Sequence, residues 1–311
     1  MESIMKVSVI LPTYRREGLL CQTIADILKQ DYPDFELLVL DQSPVHEPQT
    51  KRFLDSVVDE ISYYHLSQPG VVAACNEGVR NASGEILLFI DDDISIPDNK
   101  LLERHVRNYE DSMIGGVAGK ILDAQTLEEN RYNPHSNDWT WGYFATTWNH
   151  NHRTEVVTAP GANMSFRRQL LLELGGFDEN FSGNAFRFET DVCYRLKKLG
   201  YKTIFDPHVV VLHHYNSPGG NDNVNLFGRS TESHRWYYHF FKNNFYFFLK
   251  NIGGVRFIYL VWKLYRSHVL NRPYINEGFK FEILRHEVFV RGLMDGIKTY
   301  YSHGKGKNFA K

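Results

Sequence analysis

Short β-branched apolar runs alternate with helix-spaced stretches through residues 6–90, and this rhythm sets the class of fold. KVSVILP (Lys6–Pro12), FELLVLD (Phe35–Asp41), SYYHL (Ser62–Leu66) and GEILLFI (Gly84–Ile90) read as strands. Between them Leu20, Ile24, Ile27 and Leu28 recur at helical spacing until DYPD breaks the pattern. KRFLDSVV (Lys51–Val58) reads as a second helix, and VVAACNEGVRNA (Val71–Ala82) packs small residues at helical spacing. Strands alternating with helices predict βαβ units and an α/β fold with a mostly parallel central sheet. In such sheets ligands bind outside the carboxyl ends of the strands. Asp41 and the triplet Asp91–Asp93 fall at two of those ends.

The triplet follows the fourth run directly, in FIDDDISIPD. Neighbouring carboxylates repel and raise each other's pKa unless a cation or strong donors keep them ionised. A helix cap does not need them, because Asp98 stands just before NKLLERHV and is the expected N-cap there. A solvated turn is the bland alternative. Hard cations such as Mg2+ or Mn2+ take one or two carboxylates together with phosphate oxygens. Alternate side chains of an extended segment, here Asp91 and Asp93, face one side. Two phosphate chemistries use such a site. Asp91-x-Asp93-x-Ser95 has the spacing of an aspartyl-phosphate motif, but that motif usually follows the first strand of its domain and this one follows the fourth. The other is group transfer from a nucleoside diphosphate, with the cation neutralising the departing diphosphate. No GxxxxGKS or GxxxxGKT loop is present, which excludes a P-loop nucleotidase.

Composition narrows the field. The 311 residues allow one large α/β domain or two smaller ones, and 42% hydrophobic with 23% charged residues argues against global disorder. A formal net charge of -2 argues against a dedicated nucleic-acid binder. Cys21, Cys75 and Cys193 form no CxxC pair, which predicts reduced thiols with no zinc site or disulfide framework. The start MESIMKVSVILPTY lacks the pattern of a signal peptide, and no apolar run approaches the roughly 20 residues of a membrane span. The expected location is cytoplasmic. From Leu122 to Thr158 periodicity is weak and Trp139, Trp141, Tyr143, Phe144 and Trp148 accumulate, more than a passive connection requires. Regular structure resumes with GANMSFRRQLLLELGGFD, a helix from about Glu189 to Leu199 and the strand YKTIFDPHVVVLHH. After the break NSPGGNDNVN, Thr231–Lys311 reads as helical and rich in aromatic and basic residues.

VSVILPTYRRE, LLVLDQS, QPGVVAACNEGVRNASGEILLFIDDD, GANMSFRRQLLLELGGFDE and ETDVCYRLKKLGYKTIFDPHVVVLHH occur in the order found in family 2 glycosyltransferases. The sequence resembles that family over about residues 6–215. The resemblance implies a GT-A fold, with a nucleotide-binding half at about 1–121, an acceptor-binding half at about 122–220 and a helical extension over 221–311. It implies inverting transfer of a sugar from a nucleoside-diphosphate sugar to a glycan or lipid-linked glycan acceptor, with Mn2+ or Mg2+ as cofactor. Pro12, Thr13, Tyr14 and Asp41 would contact the nucleoside, with Asn76 and Asp92 also on the donor side. Asp91 would approach the ribose or the metal, Asp93 would be the principal metal ligand, and His213 would complete the metal shell. Aromatics around Trp139–Trp148 would form part of the acceptor site.

The base should be an acceptor-side carboxylate. Glu189 and Asp191 are the candidates, although the dipole of a helix N-terminus favours acids there in any case. Asp191 has an alternative occupation, an i,i+4 pair with Arg195. By the resemblance Glu189 takes the second place of an ED pair whose first place is Phe188 here. Asp41 has its own ordinary reading, an Asx turn. A second departure is Cys75, where members of the family often have Arg; Arg80 is the nearby cation that could substitute.

The aromatic-basic segments RWYYHFFKNNFYFFLKN and VRFIYLVWKLYRSHV are read first as helix faces packed on a core, and second as an interfacial surface giving peripheral membrane contact. A sugar-1-phosphate nucleotidyltransferase is disfavoured by the lack of an N-terminal GxGxR loop with a following Pro-Lys. A non-catalytic nucleotide- or glycan-binding relative is the alternative suggested by Cys75 and Phe188.

Overall fold

The computed structural model describes residues 4–133, 147–215, 231–270 and 279–303. Trp139, Trp141, Tyr143 and Phe144, the NSPGGNDNVN break and the end of the basic tail lie outside them. The first half is built as the alternation requires: β1 (Val7–Thr13), α1 (Gly18–Leu28), β2 (Phe35–Asp41), α2 (Pro48–Ser56), β3 (Ser62–His65), α3 (Val71–Asn81) and β4 (Ile86–Ile90). The chain continues through β5 (Ile94–Ser95), α4 (Leu101–Arg107), β6 (Ile114–Asp123), β7 (Thr154–Val156), β8 (Asn163–Arg167), α5 (Arg168–Glu173), α6 (Phe188–Lys198) and β9 (Lys202–His213). Among the described residues three helices follow: α7 (Thr231–Asn251), α8 (Gly254–His268) and α9 (Phe279–His303).

The strands form one sheet in the order β3-β2-β1-β4-β8-β6-β9-β5, with β7 also on β9. β3, β2, β1 and β4 are parallel, as expected. β6 and β9 are also parallel, whereas β8, β7 and β5 run antiparallel to their neighbours, so the second half is mixed. Side chains alternate across the sheet with period two. Val9, Leu11, Leu37, Val39 and Leu88 pack with α1 and α4 on one face. Ile10, Leu38, Leu40, Leu87 and Phe89 join α3, α6 and α7 on the other.

Helix α7 belongs to that second core. Phe241, Phe245, Tyr246, Phe247 and Phe248 are at most 1% exposed, and each side chain contributes about 1.5–3 kcal/mol by leaving water. The core reading of this segment therefore holds for α7. The expected cap of α4 is corrected. The helix begins at Leu101 after Lys100, and Asp98 instead accepts the Lys100 N–H at 2.9 Å and pairs with Arg104 at 2.8 Å. The open N–H of Leu101 is taken by Gln30 Oε1 at 2.8 Å, from a residue just past α1. Among the described residues no helix is long and apolar enough to cross a membrane.

Candidate active site

The parallel strands β1 and β4 end side by side, and their following loops interlock. Asp92 turns inward: its Oδ2 accepts the Thr13 hydroxyl at 2.6 Å and its Oδ1 accepts Arg16 Nε at 3.2 Å. The same guanidinium reaches Asp93 Oδ2 at 2.6 Å, with Arg16 only 2% exposed. Burial lifts the Asp92 carboxyl to about 6, against the lowering influence of Thr13 and Arg16. Asp92 is thus a structural acid that ties the loop after β1 to the loop after β4. Arg15, in the same loop, takes the left-handed conformation at φ 56°, an uncommon state for a residue with a side chain.

Asp91 and Asp93 meet His213. The β5–β9 ladder pairs Ile94 with His213, and the His214 N–H donates to the Asp93 carbonyl at 2.9 Å. That register carries His213 from the end of β9 to the acid triplet: its Nε2 lies 3.4 Å from Asp93 Oδ1 and 3.9 Å from Asp91 Oδ2. One ligand atom from each of Asp91, Asp93 and His213 falls within 4.8 Å of the others. Two carboxylate oxygens and one imidazole nitrogen in that space fit a divalent cation, and the imidazole suits Mn2+ better than Mg2+. Arg16 occupies the far oxygen of Asp93 while its near oxygen faces His213.

Asp41 is held by its own neighbours at the end of β2. It is 0% exposed, and its carboxylate accepts the Ser43 N–H at 2.7 Å, His46 Nε2 at 2.6 Å and the Tyr63 hydroxyl. Burial alone would raise its pKa, but these donors outweigh it and hold the carboxyl below its usual range. The Asx turn is present. Asn76 is likewise committed. Its side chain accepts the Phe177 N–H at 2.9 Å and donates to the Phe177 carbonyl at 3.0 Å and Glu179 at 2.8 Å, clamping α3 to the loop after α5. Pro12 and Tyr14 remain partly exposed beside the triplet, with the Tyr14 N–H 3.4 Å from Asp92 Oδ2.

The acceptor-side candidates separate cleanly. Glu189 lies in the first turn of α6, after Arg187 in the left-handed conformation at φ 80°. Its Oε1 is 3.2 Å from where a Cβ on Gly161 would sit, so Gly161 lies directly against this carboxylate. Burial pushes its carboxyl up to about 8, although its own backbone N–H and Arg187 lower it. The buried Cys75 thiol on α3 is raised first by burial, then by the charges of Asp91 and Glu189. Asp91 and Glu189 thus both act electrostatically on Cys75.

Asp191 faces away into a closed ionic network. It is 0% exposed and is held by Arg195 at 2.8 Å, Lys250 at 2.9 Å and Asn251 at 2.9 Å. Lys250 also binds Asp178 at 2.6 Å. The expected pair with Arg195 is formed, and no part of Asp191 is open to an acceptor. The sequence reading missed Arg16 and Lys250. Arg16 stands inside the PTYRRE block three residues from Thr13, where a cation next to an acid triplet was a usable signal. Lys250 is 59 residues from Asp191 and carried none.

Comparison with known proteins gives a consistent result. The family model described as glycosyl transferase family 2 matches residues 8–175. The glucosyl-dolichyl phosphate glucuronosyltransferase of Haloferax volcanii is 26% identical over 219 residues, covering 67% of this chain and 69% of that protein. The O-antigen biosynthesis protein RfbC of Myxococcus xanthus is 26% identical over 225 residues, which is 67% of this chain but 17% of that much longer protein. Among solved structures, the mannosyltransferase PcManGT from Pyrobaculum calidifontis in complex with GDP-Man and Mn2+ is similar with a TM-score of 0.56 at 19% identity. That likeness covers 94% of this chain and 88% of the other, and it establishes the GT-A fold.

Proposed function

The chain belongs to glycosyltransferase family 2, and on that premise we propose that it moves a sugar from a nucleoside-diphosphate sugar to an acceptor hydroxyl with inversion at the anomeric carbon. The convergence of Asp91, Asp93 and His213 at the ends of β4 and β9 is the observation that carries this reading. These three side chains would hold the cation, Mn2+ by the chemistry of the donor set, which would stabilise the charge gathering on the departing diphosphate. Arg16 holds one oxygen of Asp93 and leaves the other facing His213, and Asp92 fixes the loop of Pro12, Thr13 and Tyr14 against which the nucleoside would lie. The sugar's anomeric carbon would stand between the diphosphate and Glu189. Glu189 takes the acceptor proton as the new carbon–oxygen bond forms and the bond to the diphosphate breaks. Asp191 acts through α6, holding the turn that carries Glu189.

A base must be ionised, and burial holds Glu189 protonated up to about 8 in the free protein. The positive charge of a cation held by Asp91, Asp93 and His213 would favour the charged form of Glu189. The acceptor is a glycan or lipid-linked glycan of envelope or polysaccharide synthesis, and any membrane contact is peripheral, through the C-terminal helices. Cys75 and Phe188 both depart from the family pattern, yet neither disturbs the Asp–Asp–His group. The test is nucleotide release from a panel of UDP-, GDP- and dTDP-sugars with Mn2+ and glycan acceptors. The expected result is transfer by the native chain and none by Glu189→Gln, which still binds donor. Full activity of Glu189→Gln would remove the base assignment.

A further inference from the structure

Helix α8 turns an apolar face outward. Val255, Ile258, Tyr259 and Trp262, at i, i+3, i+4 and i+7, are 79%, 68%, 40% and 54% exposed. This spacing puts them on one stripe, while Leu260 and Leu264 face inward at 0% and 1% exposure. Contiguous apolar surface of this kind marks an interaction site. Its charge points to the partner. The helix carries Arg256, Lys263 and Arg266 and no acid, and the whole stretch 233–276 contains neither Asp nor Glu. The cations flank the rings: Lys263 Nζ lies 5.9 Å from the Tyr259 ring centre and Arg266 Cζ 5.4 Å from that of Trp262.

We propose that the outer face of α8 is a docking surface for an anionic lipid bilayer. The helix would lie in the plane of the surface, with Val255, Ile258 and Trp262 among the acyl chains near the headgroups. Tyr259 would sit at headgroup level, and Arg256, Lys263 and Arg266 would reach the lipid phosphates. A second copy of the chain is the poorer occupant, because self-pairing would bring like cations together. Helix α9 offers a contrast. Its exposed Ile283, Val290 and Met294 are interrupted by Glu287 and Arg291, which pair at 3.5 Å, so its outer face has no single sign. The docking surface is close to the reaction in the chain: Lys250 and Asn251 hold Asp191, and α8 starts at Gly254. This names the surface behind the peripheral contact in the functional reading, yet it stands on α8 alone and is tested without turnover.

The experiment is co-sedimentation of the full chain with vesicles of phosphatidylcholine alone and of equimolar phosphatidylcholine and phosphatidylglycerol. Native chain should partition onto the mixed vesicles and not the neutral ones, with binding weakened by salt. Lys263→Glu with Arg266→Glu should weaken partition by tenfold or more, taking roughly 1 kcal/mol for each cation removed at the surface. Ile258→Ser with Trp262→Ser should abolish it and, both residues being exposed, leave the thermal midpoint unchanged. Equal binding to both vesicles, no binding to either, or full binding by the variants would overturn the proposal. So would a native dimer that Ile258→Ser with Trp262→Ser converts to monomer, since that would assign the face to a second copy.

Discussion

At the scale of single residues, the arrangement rests on one buried cation among three acids. Removing Arg16 leaves Asp92 and Asp93 buried without their counter-charge, a change that typically costs about 3–5 kcal/mol. Arg16→Met should therefore melt well below the native chain without metal. Mn2+ should then raise its midpoint by more than it raises the native one, because the bound cation replaces part of the lost charge. Equal Mn2+ increments in thermal scans would show that Arg16 and the cation do not share Asp93. Glu189 makes the opposite kind of contribution. Its folded carboxyl, raised to about 8 from an ordinary 4.5, binds its proton more tightly than the unfolded chain does. Stability is then lost as pH rises from about 4.5 to 8, and Glu189→Gln should be more stable than native at pH 8 but not at pH 4. Melting curves at the two values check this. Asp91 and Asp93 were legible in the sequence because motif and strand-end position both marked them; His213 and Glu189 were singled out with the help of the resemblance, and the structure brings His213 to the two acids. The saturation of Asp41 was not legible, since it depends on His46 and Tyr63 folding over it.

At the scale of elements, the strands and helices of the first half followed from periodicity, because β1, β2 and β4 are mostly buried apolar runs bounded by polar breakers. What could not be read was set by contacts distant in sequence. The N-terminus of α4 is closed by Gln30 and not by Asp98, and α6 is fixed by Lys250 of α7. The α6–α7 contact predicts that the C-terminal helices are part of the catalytic unit. Lys250→Met should destabilise the chain by about 3–5 kcal/mol in denaturant titration, because Asp178 and Asp191 are both 0% exposed. A loss under 1 kcal/mol would show that α7 merely covers the domain. Phe245→Ala, in the 0%-exposed stripe of α7, should cost about 3–5 kcal/mol by the cavity it opens.

At the scale of the whole molecule, a parallel half sets the ends of β1 and β4 side by side. In the mixed half β5, which follows the triplet, pairs with the end of β9, so that His213 meets Asp91 and Asp93. The sequence displayed the first half through its repeating rhythm, and the resemblance supplied the second, because antiparallel partners such as β8 and β5 leave no comparable periodic mark. The central claim is that this junction holds a cation against a nucleoside diphosphate. Calorimetric titration of UDP, GDP and dTDP, with and without Mn2+, on the native chain and on Asp93→Asn tests it most directly. One nucleotide should bind in the presence of Mn2+ and lose at least tenfold in affinity either without the metal or in the variant. Binding that ignores both Mn2+ and Asp93→Asn would contradict the metal centre.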